Sequence, residues 1–362
     1  MQNLIDNTPA KKNYAFIDSI RGLAMISIVA EHSMFIYPTS FQPHDLTGVL
    51  SFAFIIQLTK FGTISFFLLA GFLIGEKFST SSAWEYLKKR IKNTLFPWLF
   101  WSLIFLFTIV LGNVVAAFKF GNGHMDADYA DQFIDHVKMV YLHSSYWFIP
   151  NFLCCITILL LFKRYLYSYY LGAVFLLFTL LYAVNIYVGW VEPRHTTALL
   201  GFVFFLWLGA QLNKNLEKLD NWINRTPIYI WVILVIITFI FGMGEEVNLF
   251  YRDSIDPYNS LRITNIFYSI ACFFLFFRIR KFDFLDWIKP RETTFGIYLI
   301  HFIIACSVLP EIFITLKRDV NILPLWQVMG YILLRFILIY GSTLLLVMGI
   351  NKTKFKWSIG RS

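Results

Sequence analysis

Charged residues are scarce in this sequence. Only 15% of its 362 residues are charged, whereas a soluble domain usually carries about 25%. Hydrophobic residues make up 58% of the chain, and the mean hydropathy is +0.62. This composition excludes an ordinary soluble protein and indicates an integral membrane protein.

Cysteine is scarce as well. The four cysteines, Cys154, Cys155, Cys272 and Cys306, all fall in apolar segments and lack the spacing of metal ligands. We interpret them as small buried apolar side chains. The histidines of the predicted outer loops also lack ligand spacing, so the sequence predicts no metal site. No fixed-period repeat or low-complexity tract divides the chain.

Ten apolar segments are candidates for membrane-spanning helices, since a span needs about 20 mostly apolar residues. The segments are 15–37, 48–75, 94–117, 147–163, 169–189, 196–212, 228–244, 260–278, 293–313 and 324–350. Gly62 and Gly71 could bend or divide the second segment. The sequence predicts an all-α integral membrane protein, one polytopic domain over residues 1–362 with its spans between about residues 14 and 350.

The distribution of cations predicts the orientation in the membrane. With the N-terminus inside, 21 of the 31 lysines and arginines fall in inside segments, six in outside loops and four within spans. The positive-inside rule then places both termini in the cytoplasm. The net charge of +9 follows from this topology, so membrane lipids are the expected surroundings and a nucleic-acid partner is not needed.

The first predicted span contains the stretch RGLAMISIVAEH, whose charges are costly in a membrane. Arg21 and His32 are separated by about three helical turns, so both lie on one face, about 16 Å apart along the axis. Asp18 lies one turn before Arg21 and can pair with it. We interpret this stripe as the wall of a polar interior. The alternative is structural, an Asp18–Arg21 pair near the interface and a His32 hydrogen-bonded in the core.

Five segments, in chain order, resemble signatures of the membrane-bound acyltransferase 3 family. They are IDSIRGLAMISIVAEHS around Arg21 and His32, FFLLAGFLIG at 66–75, LKKRIKNTLFPWLFW at 87–101, YWFIPNFL at 146–153 and FGIYLIHF at 295–302. The resemblance covers about residues 14–350. Two positions depart from the family pattern. Ala70 stands where Ser is more common, and Asn93 stands where a second Arg is expected three residues after Arg90.

The resemblance implies an acyl-CoA-dependent O-acyltransferase. The family moves an acyl group, often acetyl, from a cytoplasmic acyl-CoA to an extracytoplasmic or lipid-linked acceptor, usually a sugar hydroxyl. The expected donor is therefore acetyl-CoA or another acyl-CoA, and the expected acceptor is a cell-envelope glycan or a lipid-linked sugar. The expected location is the plasma membrane, in a bacterium the cytoplasmic membrane.

Residue roles follow from the same resemblance and from side-chain chemistry. His32 fits a general base, because imidazole titrates near working pH and can take the proton of a poorly nucleophilic hydroxyl. Arg21, Lys89, Arg90 and Lys92 are the predicted contacts of the anionic donor. Positive-inside charge alone also explains the lysines, and an ammonium cannot make the bidentate contact of a guanidinium.

Three further side chains complete the predicted substrate-binding set. Trp147 can stack on a sugar ring or can serve only as an interfacial anchor. His301 lies about 12 Å into the ninth predicted span, and Tyr298 lies one turn earlier. A histidine inside a membrane is a site candidate, unless a neighbouring hydroxyl satisfies it as a core residue.

Two other classes of function fit parts of the sequence. Ten spans with buried charges would suit an exporter of polysaccharide or of its lipid-linked precursor, although the related halves typical of transporters are not evident. A membrane receptor or assembly factor on the same fold would not need Arg21, His32 and His301. Release of free CoA from acetyl-CoA would distinguish an enzyme from both.

Overall fold

The computed structural model describes residues 15–34, 43, 45–77, 82–120, 129–310 and 323–361. Every regular element in these residues is helical, so the predicted all-α class is confirmed. The α-helices are α1 Ala15–Met34, α2 Leu46–Thr59, α3 Gly62–Lys77, α4 Ala83–Phe120, α5 Tyr129–Lys138, α6 Phe148–Leu161, α7 Tyr169–Val188, α8 Val203–Lys214, α9 Leu216–Arg225, α10 Ile228–Tyr251, α11 Ile263–Ile279, α12 Pro290–Ile303 and α13 Leu325–Ile350. Short π-helical segments cover Met139–His143 and Ile304–Val308, and 3-10 turns cover Ser145–Trp147, Lys163–Tyr165, Asp283–Ile288 and Lys354–Ile359.

Several of these helices are long and apolar enough to cross a membrane. Within the described residues, five stretches meet this test, namely Leu46–Lys77, Ala83–Val115, Tyr169–Val188, Ile228–Tyr251 and Leu325–Ile350. Gln132–His143 and Ser145–Leu161 would add a sixth if this pair, bent by 57°, is a single span. The chain is therefore a multi-pass membrane protein.

The other predicted spans correspond to helices that are short or carry charge. Helix α1 has 20 residues but contains three charged ones, while α6 and α8 have 14 and 12 residues. Helix α12 has 14 residues and continues directly into the π-helical segment Ile304–Val308. Helix α11 is apolar but has 17 residues. The count of ten spans and the orientation of the termini stay predictions. Residues 1–14, 35–37 and 311–313, on which parts of those predictions fall, lie outside the described residues.

The second predicted span is divided at Lys60 and Phe61, directly before Gly62. Lys60 is the C-cap of α2. A Cβ at position 62 would overlap Oγ of Ser27 on α1, so glycine permits the close approach of the two helices. The break leaves the side chain of Lys60 only 2% exposed, inside the helical bundle.

Helix α1 lies at the centre of the bundle, where it packs against α2, α3, α11, α12 and α13. The most extensive helix pair is α3 with α8. There, a Cβ at Gly71 would overlap the carbonyl of Leu206, and one at Gly209 would overlap the carbonyl of Leu68. Small residues at such crossings let membrane helices approach closely. Because α1 is surrounded, its charged stripe faces protein and cavity rather than lipid.

A buried ion pair fixes α10 against α11. Arg262 donates to Glu246 at 2.5 Å, and both side chains have no exposed surface. The same guanidinium donates to Oε1 of Gln57 on α2 at 2.9 Å and to the carbonyl of Gly242 at 2.9 Å. The network connects three helices. It also supplies hydrogen-bond and ion-pair partners for a guanidinium whose burial without them would cost much free energy in a membrane interior.

Candidate active site

A cavity of 1420 Å³ lies beside α1. Arg21 and His32 both line it, as expected from their spacing on one face of the helix. Apolar residues of α3 and α6, among them Phe66, Leu69 and Phe148, form part of its wall. The cavity runs along α1, so groups bound near Arg21 and groups bound beyond His32 would share one continuous space.

His32 is paired with His301, the residue that the sequence placed in the ninth predicted span. Nδ1 of His32 lies 2.8 Å from Nε2 of His301, and the two rings stack with centroids 5.1 Å apart. Nδ1 of His301 lies 2.9 Å from the carbonyl oxygen of Ile297. Neither His301 nitrogen faces a hydroxyl, so the predicted alternative of a core histidine satisfied by a hydroxyl does not describe this ring.

When both rings are neutral, these contacts define their tautomers. Because the Ile297 carbonyl can only accept, Nδ1 of His301 carries the hydrogen and Nε2 accepts. His32 then donates from Nδ1 to His301. Its Nε2 carries the lone pair and is not part of this contact. A neutral imidazole held in this tautomer is suited to take a proton at Nε2.

Glu31, the sequence neighbour of His32, has a different partner. It accepts a hydrogen bond from Nζ of Lys60 at 2.6 Å. Both side chains line the cavity. The break between α2 and α3 thus places the Lys60 ammonium where it pairs with the Glu31 carboxylate. The His32 ring is contacted by His301 and not by Glu31.

One end of the cavity, which we call the loop end, is lined by His143, Arg194, His195 and Asp256. These residues lie in or beside the segments that follow α5, α7 and α10. The loop end adjoins the C-terminus of α1, because Tyr258 packs in one apolar cluster with Met34.

Trp147 stacks on His195 at the loop end, with ring centroids 4.7 Å apart. Burial lowers the pKa of His195, which lies between α7 and α8. The neutral ring accepts at Nε2 from the backbone N–H of Ser260 at 3.4 Å, and Nδ1 lies 3.9 Å from Asp256. One face of the Trp147 indole is therefore occupied by an imidazole, which makes Trp147 a support for His195.

The opposite end of the cavity, which we call the arginine end, is lined by Arg21, Arg90, Arg291 and Arg361. Arg21 is paired with Asp18 at 2.7 Å, which confirms the pairing expected from the sequence. Nε of Arg90 donates to the Tyr86 hydroxyl at 3.0 Å. Asp18 and Glu292 each pair with one of the four arginines, so this end of the cavity keeps a net positive charge.

Close helix contacts bring these arginines together from distant parts of the chain. A Cβ at Gly22 would lie 3.0 Å from Cγ of Pro290, so the start of α12 abuts α1 next to Arg21. A Cβ at Gly360 would lie 3.0 Å from the carbonyl oxygen of Asn93, so the C-terminal segment abuts α4 near Arg90. The arginine end is thus built by α1, α4, α12 and the last residues of the chain.

The remaining predicted site residues divide between the cavity and the surface. Tyr298 lines the cavity, and its hydroxyl donates to the carbonyl of Ser145 at 2.7 Å. Ala70 and Asn93, the two departures from the family pattern, also line it. Lys89 and Lys92 are exposed and do not belong to the cavity wall. Within the described ranges, no three or more His, Cys, Asp or Glu side chains are grouped to hold a metal ion.

Several cavity residues were missed by reasoning from the sequence. His195 lies in a short loop with no helical periodicity to give it a direction. Arg291 and Arg361 counted only as inside cations, because nothing in their spacing separates them from the neighbouring lysines. Lys60 was recognised as a charge within a span, but its partner Glu31 is 29 residues away and on another helix.

The comparisons with known proteins agree with the resemblance seen in the motifs. The family model described as an acyltransferase domain, acyltransferase 3, matches residues 14–349. No curated protein and no solved structure matches the chain significantly. The match spans nearly the whole sequence and includes every α-helix that lines the cavity, so this chain is a member of the acyltransferase 3 family and an acyltransferase of the membrane.

Proposed function

We propose that this protein transfers an acyl group, acetyl by default, from cytoplasmic acyl-CoA to a hydroxyl of a cell-envelope or lipid-linked glycan. In this proposal His32 is the general base. The observation that carries the proposal is that the arginines of the arginine end and His32 line the same cavity. Family membership favours acyl transfer over the alternative of a polysaccharide exporter.

The chemistry requires two proton transfers, to His32 and then from it, and the exchange of a carbon–sulfur bond for a carbon–oxygen bond. Nε2 of His32 takes the proton of the acceptor hydroxyl as its oxygen attacks the thioester carbonyl carbon. The carbon–sulfur bond then breaks, and the thiolate of CoA leaves and receives the proton. General-base help of this kind contributes roughly 10²- to 10⁴-fold. His301 supports it by holding the His32 tautomer through the contact of 2.8 Å.

The two ends of the cavity suit the two substrates. The donor carries several phosphates, and guanidinium groups bind phosphate through paired charged hydrogen bonds. Arg21 and Arg90 would hold the donor, with Lys89 and Lys92 as exposed charges that attract it. The acceptor would enter from the loop end, past Trp147 and His195, while Tyr298 would shape the wall near His32.

The proposal also includes the topology and the location. Ten spans with both termini in the cytoplasm would place the arginine end on the cytoplasmic side, where acyl-CoA is found, and the loop end on the opposite side. The excess of inside cations supports this orientation. The membrane would be the plasma membrane, in a bacterium the cytoplasmic membrane.

A coupled assay of free CoA tests the proposal. Purified protein is incubated with acetyl-CoA and extracts of envelope glycans, and the released thiol is measured against a sample without protein. The proposal predicts release that depends on the extract. No release with acetyl-CoA or with longer acyl-CoAs, across extracts that contain the natural acceptor, would contradict it.

A further inference from the structure

The C-terminal segment of the chain forms a wall of the cavity rather than a free tail. Nε1 of Trp101 on α4 donates to the carbonyl of Ser358 at 2.9 Å, and Ile359 is 2% exposed. Gly360 then adopts a left-handed conformation with φ of +75°. A side chain there would be strained and would also meet the Phe295 ring. This turn directs the chain so that Arg361 lines the arginine end.

The guanidinium of Arg361 is only partly used by its protein contacts. Nη1 donates to Glu292 at 3.1 Å and to Oδ1 of Asn351 at 2.8 Å. Its Nε and Nη2 make no hydrogen bond to any residue that the structure describes. Arg291 is next to Glu292 in sequence and also lines the cavity. Its side chain makes no hydrogen bond or ion pair in the described parts of the chain. Two guanidinium groups with spare donors thus face the same space.

We infer that Arg361 and Arg291 bind phosphate groups of the acyl donor, so that the C-terminal segment is part of the donor site. This inference rests on the proposed function, because it assigns the donor as acyl-CoA. A planar guanidinium with unused N–H groups matches phosphate oxygens bidentately. With Arg21 and Arg90, the donor meets four cations that come from four separate parts of the chain.

Titration of purified full-length protein with CoA in detergent, without added lipid, tests the inference. Arg361→Ala is expected to weaken CoA binding at least about tenfold, as loss of a charged hydrogen bond does. Arg361→Lys is expected to recover part of the loss, because it restores charge without the fork. Lys356→Ala is the matched control, since Lys356 is an exposed cation of the same segment. It is expected to stay within twofold of the wild type.

Glu292→Gln separates donor binding from a structural role of the Arg361–Glu292 pair. If Arg361 binds the donor, Glu292→Gln is expected to bind CoA as tightly as wild type or more tightly. The substitution removes a negative charge from the site and frees the Arg361 guanidinium from its ion pair. A structural pair predicts that Glu292→Gln weakens binding as much as Arg361→Ala does, and that result would overturn the inference. CoA affinity within twofold of wild type in well-folded Arg361→Ala would overturn it too.

Phosphate groups also occur in lipid headgroups, which could bind to the same arginines. A second experiment distinguishes headgroups from the acyl donor. Nanodiscs with and without anionic phospholipid are compared for the amount of lipid retained by wild type and Arg361→Ala. Loss of retained anionic lipid with unchanged CoA affinity would assign the site to headgroups and overturn the inference. Failure of the wild type itself to bind CoA or acyl-CoA would instead contradict the proposed function.

Discussion

Nδ1 of His32 on α1 lies 2.8 Å from Nε2 of His301 on α12, although the two residues are 269 positions apart. The contact supplies the partner that orients the proposed base, and the Ile297 carbonyl orients that partner in turn. The arrangement follows the logic of a catalytic triad, in which a hydrogen bond to one ring nitrogen prepares the other for proton transfer.

Replacement of His301 tests whether this contact matters for catalysis. His301→Leu leaves the Nδ1–H of His32 without an acceptor. A buried N–H without an acceptor costs about 1–3 kcal/mol. Added to the activation free energy, this cost lowers kcat roughly 5- to 150-fold. His301→Gln offers a carbonyl oxygen and is expected to lose less. The KM for acyl-CoA should stay near wild type in both variants. A His301→Leu enzyme with wild-type kcat would contradict an orienting role.

The Lys60–Glu31 pair yields a prediction for stability. Lys60→Met leaves Glu31 charged and nearly buried, which is expected to destabilise the protein by about 3–5 kcal/mol. The double variant Lys60→Met, Glu31→Gln should recover much of this loss. Thermal unfolding in detergent measures both.

The matched control for that experiment is Lys138→Met, whose partner Asp135 is 73% exposed. Loss of such a surface pair is expected to change stability by no more than about 1 kcal/mol. Equal melting temperatures for Lys60→Met and Lys138→Met would show that the buried pair is not a structural element.

Glycines at the α3–α8 crossing give a second stability prediction. Gly71→Ala or Gly209→Ala puts a Cβ into the backbone of the facing helix and is expected to separate the two helices. Gly341→Ala on α13 is the control, because nothing lies within 4 Å of its Cβ position. It should be neutral or slightly stabilising, since alanine favours helix by about 1 kcal/mol. Comparable losses of folded protein for all three variants would contradict the packing argument.

Thiol labelling in intact cells tests the predicted orientation. In a variant without the native cysteines, Glu192→Cys in the loop after α7 should react with an impermeant reagent. Lys89→Cys and Lys356→Cys should react only after permeabilisation, because both are predicted to be cytoplasmic. Labelling of either lysine position in intact cells would reverse or invalidate the topology.

The parts of the site that follow from periodicity were predictable. Arg21, His32 and Asp18 share a face because α1 is a regular helix, and the Arg21–Asp18 pair follows directly. Contacts between helices were not predictable, because they depend on which helix lies beside α1. Lys60 and Arg361 reach the cavity from the break after α2 and from the last residues of the chain, and His301 on α12 contacts His32 from behind the cavity wall.

Trp147 illustrates a second limit of the sequence. An aromatic residue at the start of a predicted span suits an anchor or a sugar platform equally well. Its ring stacks on His195, which comes from a loop without periodicity. Helix lengths show a third limit, since hydropathy alone gave α8 the extent of a full span, whereas it has 12 residues.

Mass spectrometry of surface glycans tests the central claim most directly, in cells that lack this protein and are complemented with wild type or His32→Ala. The account predicts that wild type restores an acyl mass on the acceptor. His32→Ala, although folded and able to bind CoA with near wild-type affinity, should lose roughly 10²- to 10⁴-fold in transfer rate. The acceptor is sampled early enough to report the rate, from His32→Ala cells that express folded protein at wild-type levels. An acyl mass on that acceptor at the wild-type extent would contradict the claim that His32 is the base.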